Sequence, residues 1–124
     1  ESFMNIYQDL IMDHYRNPRN QGRLDKATHQ SEARTPTCGD SLQMDIRVKN
    51  AMISDVKFSG SGCAISQASA SLLTEYIKKK SVVQARALTP KDILDLLGVT
   101  LSPARLKCGL LSLETLGKAL KDGD

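Results

Sequence analysis

Aromatic residues, long apolar runs and excess charge are all scarce in this chain of 124 residues. It has no tryptophan, three tyrosines and two phenylalanines, which are too few rings for a base-stacking surface. Its 17 lysines and arginines only slightly exceed its 14 aspartates and glutamates, which argues against a nucleic-acid-binding module. No apolar run is long enough to span a bilayer, and the start does not resemble a signal peptide. We therefore expect a cytoplasmic protein with no nucleic-acid or membrane partner.

What is present is the composition of an ordinary folded domain. Hydrophobic residues make up 40% of the chain and charged residues 25%, a balance that excludes a disordered chain. The length suits a single hydrophobic core. Because no repeat, low-complexity tract or linker interrupts the sequence, we predict one domain over residues 1–124.

The spacing of apolar residues predicts strands first and helices later. Residues 42–48 alternate between apolar and polar, which is typical of a strand with one solvated face, and residues 55–58 resume the alternation after a turn at Asn50-Ala51. An edge strand is expected near residues 28–34. Helices are predicted over residues 3–14, 64–79, 82–87, 90–97 and 103–121. The predicted fold class is therefore α+β, with a small antiparallel β-sheet of about three strands and helices packed on one face.

Two of these helices have a predicted buried side. On the last helix, a stripe of leucines is expected to face the core: Leu106, Leu110, Leu113 and Leu120. Cys108 lies about 200° from that stripe around the helix, so it is not expected to serve as core filler. The helix over residues 64–79 is expected to bury the side that carries Ile65, Ala68, Leu72 and Tyr76.

The three cysteines, Cys38, Cys63 and Cys108, are the most informative residues. Their odd number does not suggest a disulfide framework, and separations of 25 and 45 residues do not match a zinc-finger pattern. Cys38 lies in a loop that enters the alternating strand, and Cys63 lies at a strand-to-helix junction, both beside glycines that permit close backbone approach. Core thiols, nucleophiles and metal ligands are the three interpretations. A loop, a junction and a helix that converge at one sheet edge favour a shared site.

A tetrahedral metal site needs four donors, so three thiolates leave room for another residue. Asp40 follows Cys38 by two residues and can direct its carboxylate to the same point, although a hydrogen bond to its own turn is the alternative. His14 and His29 are the other candidate donors. Lys107 adjoins the third cysteine and is expected to favour that thiolate, to pair with Asp40, or to lie in solvent. Asp40 is the predicted fourth ligand.

Four segments of the chain form recognisable motifs. They are Ile-Met-Asp-His-Tyr-Arg-Asn-Pro-Arg-Asn at 11–20, Pro-Thr-Cys-Gly-Asp at 36–40, Gly-Ser-Gly-Cys-Ala-Ile-Ser-Gln-Ala-Ser at 60–69 and Pro-Ala-Arg-Leu-Lys-Cys at 103–108. In this order they resemble the U-type iron–sulfur cluster assembly scaffold family, which includes IscU-like, NifU N-terminal and SufU-like proteins. The resemblance covers nearly the whole chain.

The resemblance implies a site and its partners. The metal site is expected at one end of an α+β fold, bound by Cys38, Asp40, Cys63 and Cys108. Zn²⁺ or a [2Fe–2S] cluster is the implied cofactor, with Cys38 as the first choice of persulfide acceptor. Arg105 and Lys107 are expected beside the ligands without coordinating. The implied partners are a pyridoxal-phosphate cysteine desulfurase and apo iron–sulfur acceptor proteins.

Two departures from the family pattern leave the function open between alternatives. Lys107 stands where IscU-like proteins have histidine, which favours a SufU-like zinc-dependent sulfurtransferase that activates a desulfurase. The short spacing between Cys63 and Cys108 favours a scaffold that assembles and transfers a cluster. A structural zinc domain is the third alternative, and an exposed carboxylate ligand argues against it. A dedicated Hsp70-type chaperone is not expected, because residues 101–104 read Leu-Ser-Pro-Ala without the proline-rich motif.

Overall fold

The computed structural model describes the backbone of residues 3–36 and 39–121 and the side chains of residues 8–36 and 39–121. In chain order the helices and strands are α1 (Phe3–Arg16), β1 (His29–Arg34), β2 (Ser41–Lys49), β3 (Met52–Ser61), α2 (Ala64–Ile77), α3 (Val82–Arg86), α4 (Pro90–Leu97) and α5 (Pro103–Leu120). The strands form an antiparallel sheet in the order β1-β2-β3. The predicted α+β class and its three-stranded sheet are therefore confirmed. No helix in this described part of the chain is long and apolar enough to cross a lipid bilayer.

The central strand β2 has the predicted alternation. Leu42, Met44 and Ile46 are at most 1% exposed and face the helices. The same strand pairs with β3 from Ser41 to Lys49 and with β1 from Ser41 to Ile46. The sheet therefore presents one continuous apolar face, on which the helices pack.

Helix α2 is buried on nearly every side, because it packs against α1, α4, α5 and β3. Its side chains are mostly small, which allows its neighbours to approach closely. Its hydroxyl groups are satisfied within the protein, as when the Ser69 hydroxyl donates to the Gly109 carbonyl of α5 at 2.7 Å. The predicted burial of Tyr76 is wrong: this side chain is 44% exposed, with the Lys80 ammonium 4.8 Å from its ring centroid.

The predicted core face of α5 is wrong for three of its four leucines; Leu120 is buried as predicted. Leu106, Leu110 and Leu113 are only partly buried. The buried side carries Cys108, Gly109, Leu111, Ser112, Thr115, Leu116, Ala119 and Leu120. The small residues on this side of α5 let the helix approach α2 and β1 closely. Close packing, rather than apolarity, therefore decides which side of α5 is buried. Hydrogen bonds from Ser69 in α2 and Ser31 in β1 to carbonyls of α5 hold it in place.

Capping residues end the short helices where the sequence predicts. Helix α4 begins with a capping box between Thr89 and Asp92 and ends at Gly98, whose φ of 73° is left-handed. The Ser102 hydroxyl accepts a hydrogen bond from the Arg105 N–H at the start of α5. These caps set the end of α4 and the start of α5, the helix that carries Cys108.

Ala51 is the strained residue of the β2–β3 hairpin. Asn50 and Ala51 have φ values of 54° and 62°, the positive pair that a type I′ turn requires. The Val82 N–H donates to the Ala51 carbonyl at 3.0 Å and links the turn to α3. The left-handed conformation raises the free energy of the folded state for alanine, whereas glycine adopts it without steric strain.

Ala51→Gly should therefore raise the free energy of unfolding by about 0.5–1 kcal/mol, after allowance for the greater flexibility of glycine in the unfolded chain. Urea denaturation at constant pH measures the change. Ala51→Ser retains the strain and should give no gain. A less stable glycine variant would contradict the argument.

His14 joins α1 to α2 in a buried contact. Its Nδ1 lies 2.7 Å from Ser71 Oγ, which also accepts a hydrogen bond from the Arg19 N–H. Only 3% of His14 is exposed, and burial, assisted by the nearby Arg19 charge, lowers the pKa of the imidazole below its usual 6.5. The charges of Glu75 and Asp13 oppose this shift without reversing it.

The folded state should consequently lose stability in mild acid through His14. Because the unfolded chain binds the proton more readily, the contribution is complete above pH 6.5 and falls as the pH drops from there towards the lower folded-state pKa. Urea unfolding between pH 7.5 and pH 5 should show a smaller decrease in His14→Gln than in the unmodified protein. An equal decrease in both would rule out His14 as the source.

Candidate metal centre

The junction between β3 and α2 positions Cys63. Cys63 is the N-cap of α2, with φ of −73° and ψ of 172°, and its side chain makes no capping hydrogen bond. Its carbonyl accepts hydrogen bonds from the Gln67 N–H and the Ser66 hydroxyl, both at 3.1 Å. The backbone is thereby held while the half-buried thiol is left to other contacts. The uncapped N-terminus of α2 favours negative charge beside it.

Asp40 lies against this junction. Its Oδ2 accepts a hydrogen bond from the Cys63 N–H at 3.4 Å, so a loop before β2 and the start of α2 meet there. The expectation of an exposed carboxylate is wrong, because Asp40 is only 4% exposed. Gly62 makes this burial possible: a Cβ at that position would lie 2.8 Å from Asp40 Cγ.

Cys108 reaches the same place from α5. It is 4% exposed and lies on the buried side of the helix. One ligand atom each from Asp40, Cys63 and Cys108 lie within 4.8 Å of one another. Residues separated along the chain by the β2–β3 hairpin and by helices α2, α3 and α4 therefore present two sulfur atoms and one carboxylate oxygen to a common point.

The other predicted site residues have different positions. Cys38 lies outside the described residues, so its roles as ligand and persulfide acceptor stay predictions. Arg105 and Lys107 are exposed, and among the described residues no ion pair joins Lys107 to Asp40. His14 contacts Ser71, eight residues along the chain from Cys63, and His29 contacts Thr28 at the start of β1. Neither histidine belongs to the described ligand group.

Among the residues that the structure describes, the charge of Asp40 lacks the kind of partner that the buried carboxylate of Asp45 has. Asp45, 1% exposed, lies 2.6 Å from the Arg23 guanidinium and accepts a further hydrogen bond from the Leu24 N–H. Within the described residues, Asp40 has the Cys63 N–H and no cation within ion-pair distance. Because a buried carboxylate needs a compensating charge, this position suits a cation.

The donor set fits a thiophilic metal. Thiolate sulfur is the usual ligand of Zn²⁺ and of iron in iron–sulfur clusters, and a carboxylate oxygen also binds Zn²⁺. Three donors leave a fourth position, for which Cys38 is the candidate by its place in the sequence.

The sequence analysis did not identify Ser69, whose hydroxyl bonds α2 to the Gly109 carbonyl of α5, one residue beyond Cys108. The small residues spaced along α2 are the signal for such a close helix contact.

The chain is similar in sequence to named proteins of two kinds. The Bacillus subtilis protein named zinc-dependent sulfurtransferase SufU is 36% identical, over 93% of this chain and 89% of its own length. The Aquifex aeolicus iron–sulfur cluster assembly scaffold protein IscU is 42% identical, over 94% of this chain and 74% of its own length. Both sides of the family resemblance are thus represented among the relatives.

Solved structures share the fold. A structure from Fervidobacterium islandicum AW-1, assigned to a scaffold protein for the SUF system, has a TM-score of 0.77 and 32% identity, and covers 97% of this chain and 99% of that one. A NifU-like N-terminal structure from Brucella abortus has a TM-score of 0.78 at 16% identity, over 97% of this chain and 96% of that one, which supports the fold alone. The family model described as the NifU-like N terminal domain matches residues 6–123, and the chain belongs to that family.

Proposed function

We propose that this protein is an iron–sulfur cluster assembly scaffold, which accepts sulfur from a cysteine desulfurase and holds a [2Fe–2S] cluster for transfer to apo-proteins. The observation that carries the proposal is the buried Asp40 carboxylate, without a described cationic partner, beside the sulfurs of Cys63 and Cys108. The IscU relatives support the scaffold activity. Cys38, Asp40, Cys63 and Cys108 are the proposed ligands.

Sulfur arrives by thiol chemistry in this proposal. A thiolate attacks the outer sulfur of the desulfurase persulfide, a new S–S bond forms, and the desulfurase cysteine leaves as a thiolate. The accepting thiol must be accessible. Cys108 is nearly inaccessible, which leaves Cys38 and the half-buried Cys63, and we propose Cys38 as the first acceptor. Such chemistry suits the cytoplasm, where thiols are kept reduced.

A zinc-dependent sulfurtransferase is the second candidate, favoured by the SufU relative and by Lys107 in place of a histidine ligand. Here the same four residues would hold Zn²⁺, which would keep the thiolates deprotonated and protected until a desulfurase arrives. Exposed Lys107 adds positive charge near Cys108 without occupying a coordination position. The two candidates differ in cargo rather than in ligands.

Anaerobic reconstitution with a cysteine desulfurase, cysteine, Fe²⁺ and dithiothreitol, the thiol reductant that converts persulfide sulfur to sulfide, tests the proposal. The unmodified protein should develop the visible absorption of a [2Fe–2S] cluster and pass it to an apo-ferredoxin. Cys63→Ser and Cys108→Ser should each lose most of the absorption, because a hydroxyl is a poor ligand for iron in clusters. Asp25→Ala, which removes an exposed carboxylate, should behave as the unmodified protein.

Other outcomes of this reconstitution discriminate between the scaffold and the sulfurtransferase. Zinc that stays bound throughout, with strong stimulation of desulfurase turnover and no transferable cluster, would identify the sulfurtransferase. Normal cluster formation and sulfur acceptance in both cysteine variants would contradict the proposed site.

Gly62→Ala should weaken metal binding, because the new Cβ would clash with the Ser66 hydroxyl oxygen and lie 2.8 Å from Asp40 Cγ, so that the carboxylate must shift. We expect the Kd for Zn²⁺ to rise on the order of 10- to 100-fold, as for other changes that displace a ligand's support. Gly117→Ala is the matched control, since a Cβ there would meet nothing within 4 Å. Competition with a zinc chelator measures both. An unchanged Kd in Gly62→Ala would show that the carboxylate is not a ligand.

A further inference from the structure

Thr35 closes the loop that leads to Asp40. We propose that it is a positioning residue that sets the Asp40 carboxylate for metal binding, an inference that rests on the metal site proposed above. Thr35 follows Arg34, the last residue of β1, which forms the last residue pair between β1 and β2 with Ser41. The loop therefore starts and ends beside paired residues of two neighbouring strands.

Three hydrogen bonds join the two ends of this loop. The Thr35 N–H donates to the Asp40 carbonyl at 2.9 Å, and the Gly39 N–H donates to the Thr35 carbonyl at 3.0 Å. The Asp40 N–H donates to the Thr35 hydroxyl oxygen at 3.3 Å. Both backbone groups of Asp40 are thus bonded to Thr35, which sets the direction in which the Asp40 side chain leaves the chain.

The hydroxyl is the part of Thr35 that a substitution can remove. Thr35 and Asp40 are 6% and 4% exposed, so water cannot easily replace the lost acceptor. An Asp40 N–H without a partner is costly in such a place. Loss of the hydroxyl would therefore loosen Asp40, whose carboxylate bonds the Cys63 N–H across the site.

Thr35→Val tests this role, because valine keeps the branched shape and lacks the hydroxyl. In Co²⁺ titrations, which report the ligand set through visible absorption, Thr35→Val should raise the Kd about five- to tenfold and alter the spectrum. Hydrogen exchange of the Asp40 amide in the metal-free protein should become faster. Thr35→Ser restores the hydroxyl and should restore all three readouts.

Thr28→Val is a matched control at the other end of β1. Its hydroxyl oxygen accepts a hydrogen bond from the Val48 N–H at 2.8 Å, so the substitution removes the same kind of contact away from the ligand group. It should leave the Co²⁺ affinity unchanged. In the Asp40→Ala background, Thr35→Val should cause no further loss of affinity, because Thr35 acts through Asp40.

The outcomes separate this inference from the function on which it rests. If the unmodified protein binds no Co²⁺ or Zn²⁺, the metal site and the metal role of Thr35 both fail. If it binds Co²⁺ and Thr35→Val binds equally well with an unchanged spectrum, the positioning role alone fails. An effect of Thr35→Val that persists in Asp40→Ala would also overturn it.

Discussion

Burial of α2 against α1, α4, α5 and the sheet places the candidate metal centre, because that helix begins at Cys63. A helix surrounded in this way cannot shift without disturbing all of its neighbours. Its small side chains allow the close contacts, and hydroxyls such as those of Ser69 and Ser71 find partners inside the protein. Rigid packing of this buried helix is thus what holds the Cys63 thiol in a defined position.

Charge is concentrated where that helix begins. The N-terminus of α2 faces Asp40, and the two cysteine sulfurs lie within 4.8 Å of its carboxylate oxygen. Thiols deprotonated beside this carboxylate in a poorly solvated place would repel it unless a cation joins them, so the group suits a bound metal. The same fold compensates Asp45 with Arg23 and provides Asp40 with no described counterpart. This difference between two buried carboxylates distinguishes a structural ion pair from a position prepared for a metal.

The sequence was a good guide wherever a local rule decides the structure. Alternation predicts β2, and the helix predicted over residues 90–97 matches α4, because both features depend on neighbouring residues alone. It was a poor guide to the buried side of α5, where apolarity favours the leucines and packing buries Cys108 instead. The burial of Asp40 was equally unpredictable, since it depends on Gly62, twenty-two residues further along the chain.

Residue types and their order by themselves determined the α+β class, the likeness to a family and the identity of the candidate ligands. Only the tertiary structure decided that Asp40, Cys63 and Cys108 meet and that Arg105 and Lys107 stay in solvent. The reason is physical. Periodicity and capping act over a few residues, whereas the distance between two side chains on separate elements depends on how closely whole helices and strands pack.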